Sequence, residues 1–183
     1  MALRSSGVPH QVIEVSLKNK PEALLALSPK GTVPVLHCTD GLVIEQSLEI
    51  MLWALKQHDP EHWLKDDDTA SSQDLIACND GPFKKWLDRY KYFERHPEQT
   101  QQTYREQAEK ALLSQLEARL SETQFLGADQ PTLVDVAIFP FVRQFAAVDP
   151  EWFAASPWKK TSTWLAYWTQ SELFASVMAK QAY

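Results

Sequence analysis

A chain of 183 residues, 44% of them hydrophobic and 23% charged, has the make-up of a folded protein with one large core or two small ones. Its 18 basic and 24 acidic residues leave a formal charge of −6, which disfavours nonspecific nucleic-acid binding and anionic membrane surfaces. No apolar run approaches a membrane span, the N-terminus has no secretory-signal pattern, and the two cysteines, Cys38 and Cys78, form no Cys-x-x-Cys pair; together these read as a cytoplasmic protein.

In chain order, MALRSSG reads as the last turn of a helix stopped by Gly7, with Pro9 beyond it. HQVIEVSL predicts a strand whose apolar members are Val12, Ile13, Val15 and Leu17. PEALLALSP predicts a short helix between Pro21 and Pro29. TVPVLHC and LVIE predict two strands joined at Thr39-Asp40-Gly41. SLEIMLWALKQH carries Leu48, Met51, Leu52 and Leu55 at helical steps. These elements form a first domain over residues 1–58. DPEHWLKDDDTASSQ, with its acidic run Asp66-Asp67-Asp68, reads as a solvated linker over residues 59–71.

The remainder, residues 72–183, reads as all-helical. Leu75, Trp86, Leu87, Tyr90 and Phe93 follow helical spacing, but Asn79-Asp80-Gly81-Pro82 interrupts them. Either two helices meet there, with Asn79 or Asp80 capping the second, or one helix kinks. Tyr104, Ala108, Leu112, Leu116 and Leu120 form one stripe. Thr132 and Asp135 stand at capping-box spacing before an apolar run. The final helices are rich in tryptophan, which includes Trp158, Trp164 and Trp168 and serves packing.

The stretch that carries chemistry is SPKGTVPVLHCTDGLVIEQSLEI. Pro34 cannot donate to a sheet and predicts an edge or an unusual geometry; a cis Val33–Pro34 bond would turn the backbone groups of Val33 outward, where an extended peptide can pair with them. Gln46-Ser47 opens a helix, whose free N–H groups favour a carboxylate. One peptide-like ligand could lie across both.

In these features the chain resembles the glutathione S-transferase family over nearly its whole length: the Val33-Pro34-Val35-Leu36 strand, the Asp40-Gly41 hairpin, the Gln46-Ser47 helix start and the later Thr132-Leu133-Val134-Asp135 box come in the family's order. The resemblance implies an α+β fold, a truncated thioredoxin-like N-terminal domain followed by an all-helical C-terminal domain. It implies glutathione as co-substrate, an apolar electrophile as second substrate, no metal, and the homodimer usual in the family. Val33 would offer its backbone to the cysteinyl part of glutathione. Gln46 and Ser47 would take the γ-glutamyl carboxylate and amine, and Lys20 a glutathione carboxylate. Thr32 replaces a second lysine and Gln46 a glutamate found in many members. The family's thiolate-supporting Tyr, Ser or Cys precedes the helix that MALRSSG would end. That residue, with a strand and most of a helix, about two dozen residues by ordinary element lengths, is expected upstream of Met1. Were it a Cys, thiol transfer or conjugate cleavage would replace conjugation; were the truncation genuine, a non-catalytic binding or interaction protein would result.

Other candidates have plainer readings. Cys38 reads as a buried structural thiol rather than a replacement nucleophile, since no basic neighbour or helix start lowers its pKa, and Cys78 reads as packing on the helix that, by the resemblance, lines the electrophile pocket. His58 and His62, four apart across a proline, lack a third ligand, so they carry no zinc expectation. Tyr90 and Tyr92 read as packing, with a cleft-facing hydroxyl as the sharper alternative.

Overall fold

Gly7, at φ 66°, stops α1 (Ala2–Ser5) where the sequence places the stop. The structure, a computed structural model, describes residues 1–65 and 70–179. The chain divides into two compact units, Met1–Glu61 and His62–Tyr183.

In the first unit, α1 packs on α3 (Ser47–Gln57), and His58 Nδ1 bonds the Ser6 carbonyl oxygen at 3.0 Å, joining the two helix ends. Helix α2 (Glu22–Leu27) follows Pro21 as expected. Strands β1 (Leu36–His37) and β2 (Val43–Ile44) pair antiparallel, Leu36 opposite Ile44 and His37 opposite Val43. Their turn uses Gly41 at φ 91° and Asp40, whose Oδ1 accepts the Leu42 N–H at 3.0 Å. A positive φ is cheap only for glycine, so this position selects its residue.

The expected strand over HQVIEVSL is not formed. Beyond one isolated bridge between Ser16 and Asn19, the segment has no sheet partner among the described residues. Ile13 is 72% and Leu17 59% exposed. Alternating Val and Ile favour extended backbone, but a strand exists only where a neighbour completes its ladder. The ladder of TVPVLHC and LVIE likewise shrinks to two residue pairs.

The second unit is helical among its described residues. Helix α4 (Ala70–Cys78) continues into α5 (Lys84–Lys91) through a π-turn, Asn79–Phe83, that contains Pro82. The interruption is thus one helix with a widened turn, where the donor that Pro82 lacks is tolerated. A second π-turn, Glu109–Leu113, joins α6 (Gln101–Ala108) to α7 (Ser114–Glu122) and packs against the first. Helix α8 (Leu133–Ala146) runs through the core, followed by α9 (Pro150–Ala155), α10 (Lys159–Gln170) and α11 (Glu172–Met178). The stripe Tyr104, Ala108, Leu112, Leu116 and Leu120 is buried throughout.

Asp135 organises this unit. It is fully buried, and its carboxylate accepts from Thr132 N (3.0 Å) and Thr132 Oγ1 (3.1 Å), closing the expected box, and also from Leu126 N (2.9 Å) and Trp164 Nε1 (2.7 Å). Trp63, inside the expected linker, is 2% exposed; its carbonyl accepts the Leu133 N–H at 2.9 Å and its ring meets Trp168 edge-on at 6.2 Å. The acidic run of that linker lies outside the described residues. No helix among the described residues is long and apolar enough to cross a membrane.

Candidate functional site

The candidate site in the first unit begins with the turn after α2. Gly31 there takes φ 59°. A Cβ on it would meet Leu25 Cδ2 at 3.0 Å and Lys20 Cδ and Nζ at 3.1 and 3.2 Å, so the Lys20 side chain lies directly over this glycine. Two residues on, the Val33–Pro34 bond is cis, as the sequence predicts. Val33 is 45% exposed, and no hydrogen bond engages its backbone N–H or C=O among the described residues. Past the hairpin, Gln46 stands at the N-cap of α3 without a capping side-chain bond, and both Gln46 and Ser47 are exposed. The first-turn N–H groups of this helix therefore have no side-chain cap from Gln46 and carry the positive end of the helix dipole.

Glu45 links these pieces. Its carboxylate accepts a hydrogen bond from the buried Ser28 Oγ and pairs with Lys30 Nζ at 3.5 Å. The Ser28 hydroxyl holds the Glu45 carboxyl below the usual range, with Lys30 adding to it against a weaker effect of burial. A run of contacts thus connects Lys20, Gly31, Ser28 and Lys30 to Glu45, the residue just before Gln46. Neither Ser28 nor Glu45 stands out in the sequence, because their contact spans 17 residues and leaves no periodic signal. Gly31, next to Pro29-Lys30, carried the one readable hint, a turn composition.

The other candidates fall elsewhere. Cys38 is pushed to a higher pKa by partial burial and by Asp40, so its thiol stays protonated near neutral pH. Cys78 Sγ donates to the Ala111 carbonyl at 2.8 Å, across to the second π-turn, and that oxygen also takes Gln115 Nε2 at 2.9 Å. Tyr90 is 1% exposed within the core, its phenol pushed up by burial, whereas Tyr92 is 39% exposed. His58 is engaged by Ser6, and no group of three metal-ligating side chains assembles among the described residues.

A small α/β unit with an exposed loop and helix start, followed by a helical unit built around a buried capping box, defines a transferase-type two-domain architecture. The family models agree. The glutathione S-transferase N-terminal domain matches residues 1–57 and the C-terminal domain matches residues 84–168. The chain belongs to the glutathione S-transferase family, with a thioredoxin-like first domain and a helical second one. Among curated proteins it is similar to glutathione S-transferase omega-1 of Mus musculus, 26% identical over 178 residues, covering 96% of this chain and 72% of that protein. It is also similar to the same enzyme of Rattus norvegicus, 29% identical over 160 residues, covering 81% of this chain and 62% of that protein. The chain thus spans about two thirds of the length of these relatives. Among solved structures, the ternary complex of BphK, a bacterial GST, superposes with a TM-score of 0.80 at 19% identity, covering 97% of this chain and 90% of the other. The glutathione transferase URE2P6 from Phanerochaete chrysosporium, in complex with oxidized glutathione, gives 0.81 at 18%, covering 96% and 86%.

Proposed function

We propose that this protein binds glutathione in its first unit and presents the thiol to an apolar electrophile, as a glutathione transferase. The observation that carries this is the contact run from Lys20 through Gly31 and Glu45 to Gln46, which puts a cation, an unbonded extended backbone and an open helix start on one connected frame. Each of these suits one part of a γ-glutamyl tripeptide. The Val33 backbone pairs with the cysteinyl residue as an added strand would. The N-terminus of α3, with Gln46 and Ser47, receives the γ-glutamyl carboxylate and amine. Lys20 takes the second carboxylate. Binding of this kind fixes the thiol so that its attack on an electrophile becomes effectively unimolecular. These four residues hold and orient glutathione; support of the thiolate belongs to another group. The same reading carries the proposal of a cytoplasmic protein that acts as a homodimer.

Calorimetric titration with glutathione tests the site. Ser47→Ala and Lys20→Gln are each expected to weaken binding roughly tenfold, the loss of one charge-assisted contact. Gly31→Ala, which touches no ligand, is expected to weaken it too by displacing Lys20. Unchanged affinity in all three variants would remove the assignment.

A further inference from the structure

The helical unit holds an open cleft of about 390 Å³ where the end of α5, the start of α6 and the end of α8 meet. Lys91, Tyr92, Gln101, Arg143 and Gln144 line it, with Ala147 and Val148 as its apolar wall. No acidic side chain lines it. Lys91 Nζ donates to Gln144 Oε1 at 2.7 Å and lies 5.2 Å from the centre of the Tyr92 ring. Arg95, a third cation outside the lining, sets its guanidinium 4.6 Å from the centre of the same ring. Arg143 sits over Phe174 at 5.4 Å, and its buried Nε–H has no acceptor among the described residues. None of the three forms an ion pair among the described residues.

In a chain of net charge −6, a cleft whose charged lining residues, Lys91 and Arg143, are both cations runs against the overall balance. Like charges gathered without counter-charges raise one another's energy, and a cleft with low-dielectric walls concentrates the resulting field. Neutral partners, two rings and an amide, hold these cations in place without quenching them. The site therefore offers charge to a ligand that supplies the anion, and an apolar wall to whatever the anion is attached to. Its size falls within the range of small-molecule pockets.

We infer that this cleft binds a small anionic ligand of the aryl carboxylate class, its carboxylate between Lys91 and Arg143 and its ring against Tyr92 and Val148. All of its residues lie in the helical unit, so the inference does not rest on the glutathione reading. The test compares 2-naphthoate with its neutral isostere 2-naphthamide, each titrated calorimetrically into the full chain. The naphthoate is expected to bind at least roughly tenfold more tightly than the amide, as for a charge-assisted contact, and to weaken as salt is added. Lys91→Gln and Arg143→Gln are each expected to reduce that preference severalfold, and Tyr92→Leu to weaken both compounds together. Lys91→Gln removes a contact with a single amide, so it keeps the test decisive if the arginine variant fails to fold. Equal affinity for the two compounds, no binding of either, or a preference that survives Lys91→Gln would overturn the inference.

Discussion

Asp135 accepts from two donors of its own turn and from two others nine and 29 positions away. Removing that carboxylate strands four buried donors at once, whereas removing the Thr132 hydroxyl takes away one cap acceptor of the Asp135 N–H, which still reaches the Thr132 carbonyl. Asp135→Ala is therefore expected to cost about 4 kcal/mol and Thr132→Ala about 1 kcal/mol. Urea denaturation midpoints at constant slope measure both, and similar losses in the two variants would show that the long-range bonds contribute little. The Thr132–Asp135 half of this arrangement is legible in the sequence because three residues separate its members. The Leu126 and Trp164 half is not, since nothing local marks a backbone amide or an indole as the partner of a distant carboxylate. The Ser28–Glu45 contact is hidden for the same reason, while Val33, Gln46 and Ser47 sit on local patterns that can be read directly.

The helices are legible in the periodicity of the sequence, and one of their irregularities is written there too. Residues 104, 108, 112, 116 and 120 are spaced by four, so in a regular helix the stripe would drift by about 40° per step. It stays buried because the π-turn Glu109–Leu113 widens the helix midway and takes back part of that drift. The Asn79–Phe83 turn was signalled more crudely, by Gly81-Pro82. The segment 10–17 failed for the opposite reason: its alternation states a preference that only a neighbouring strand can satisfy. The second π-turn also carries a titratable group. Burial raises the Glu109 carboxyl, against the pull of Arg105, which pairs with it at 3.3 Å, while Glu106 pushes it further up and Trp158 draws it down. A carboxyl raised on folding binds its proton more tightly in the native state. Its contribution is then fully present below the ordinary glutamate range and lost as pH rises through the folded value. Thermal melts across that window are expected to show the parent losing stability relative to Glu109→Gln as pH rises. An equally steep profile in the variant would assign the effect elsewhere.

At the scale of the whole chain the two units differ in how their backbones are satisfied. The helices of the second unit bond within themselves, whereas the first unit has a two-residue ladder and a segment, 8–19, with one isolated bridge. Amide exchange is expected to be fast at Ile13 and Leu17 and slow by several orders of magnitude in α8, whose opening requires disruption of the core. Protection of Ile13 matching that of α8 would mean that another strand, such as one from a second copy, completes the sheet in solution. Trp63 bears on where the chain can be cut. Because its carbonyl receives the first amide of α8 and its ring covers Trp168, it belongs to the second unit although it comes before the acidic run. A gene fusion that exchanges the first unit between relatives therefore has its seam at 61/62. A seam placed at the start of α4 would replace Trp63 with a foreign residue and take its ring off Trp168.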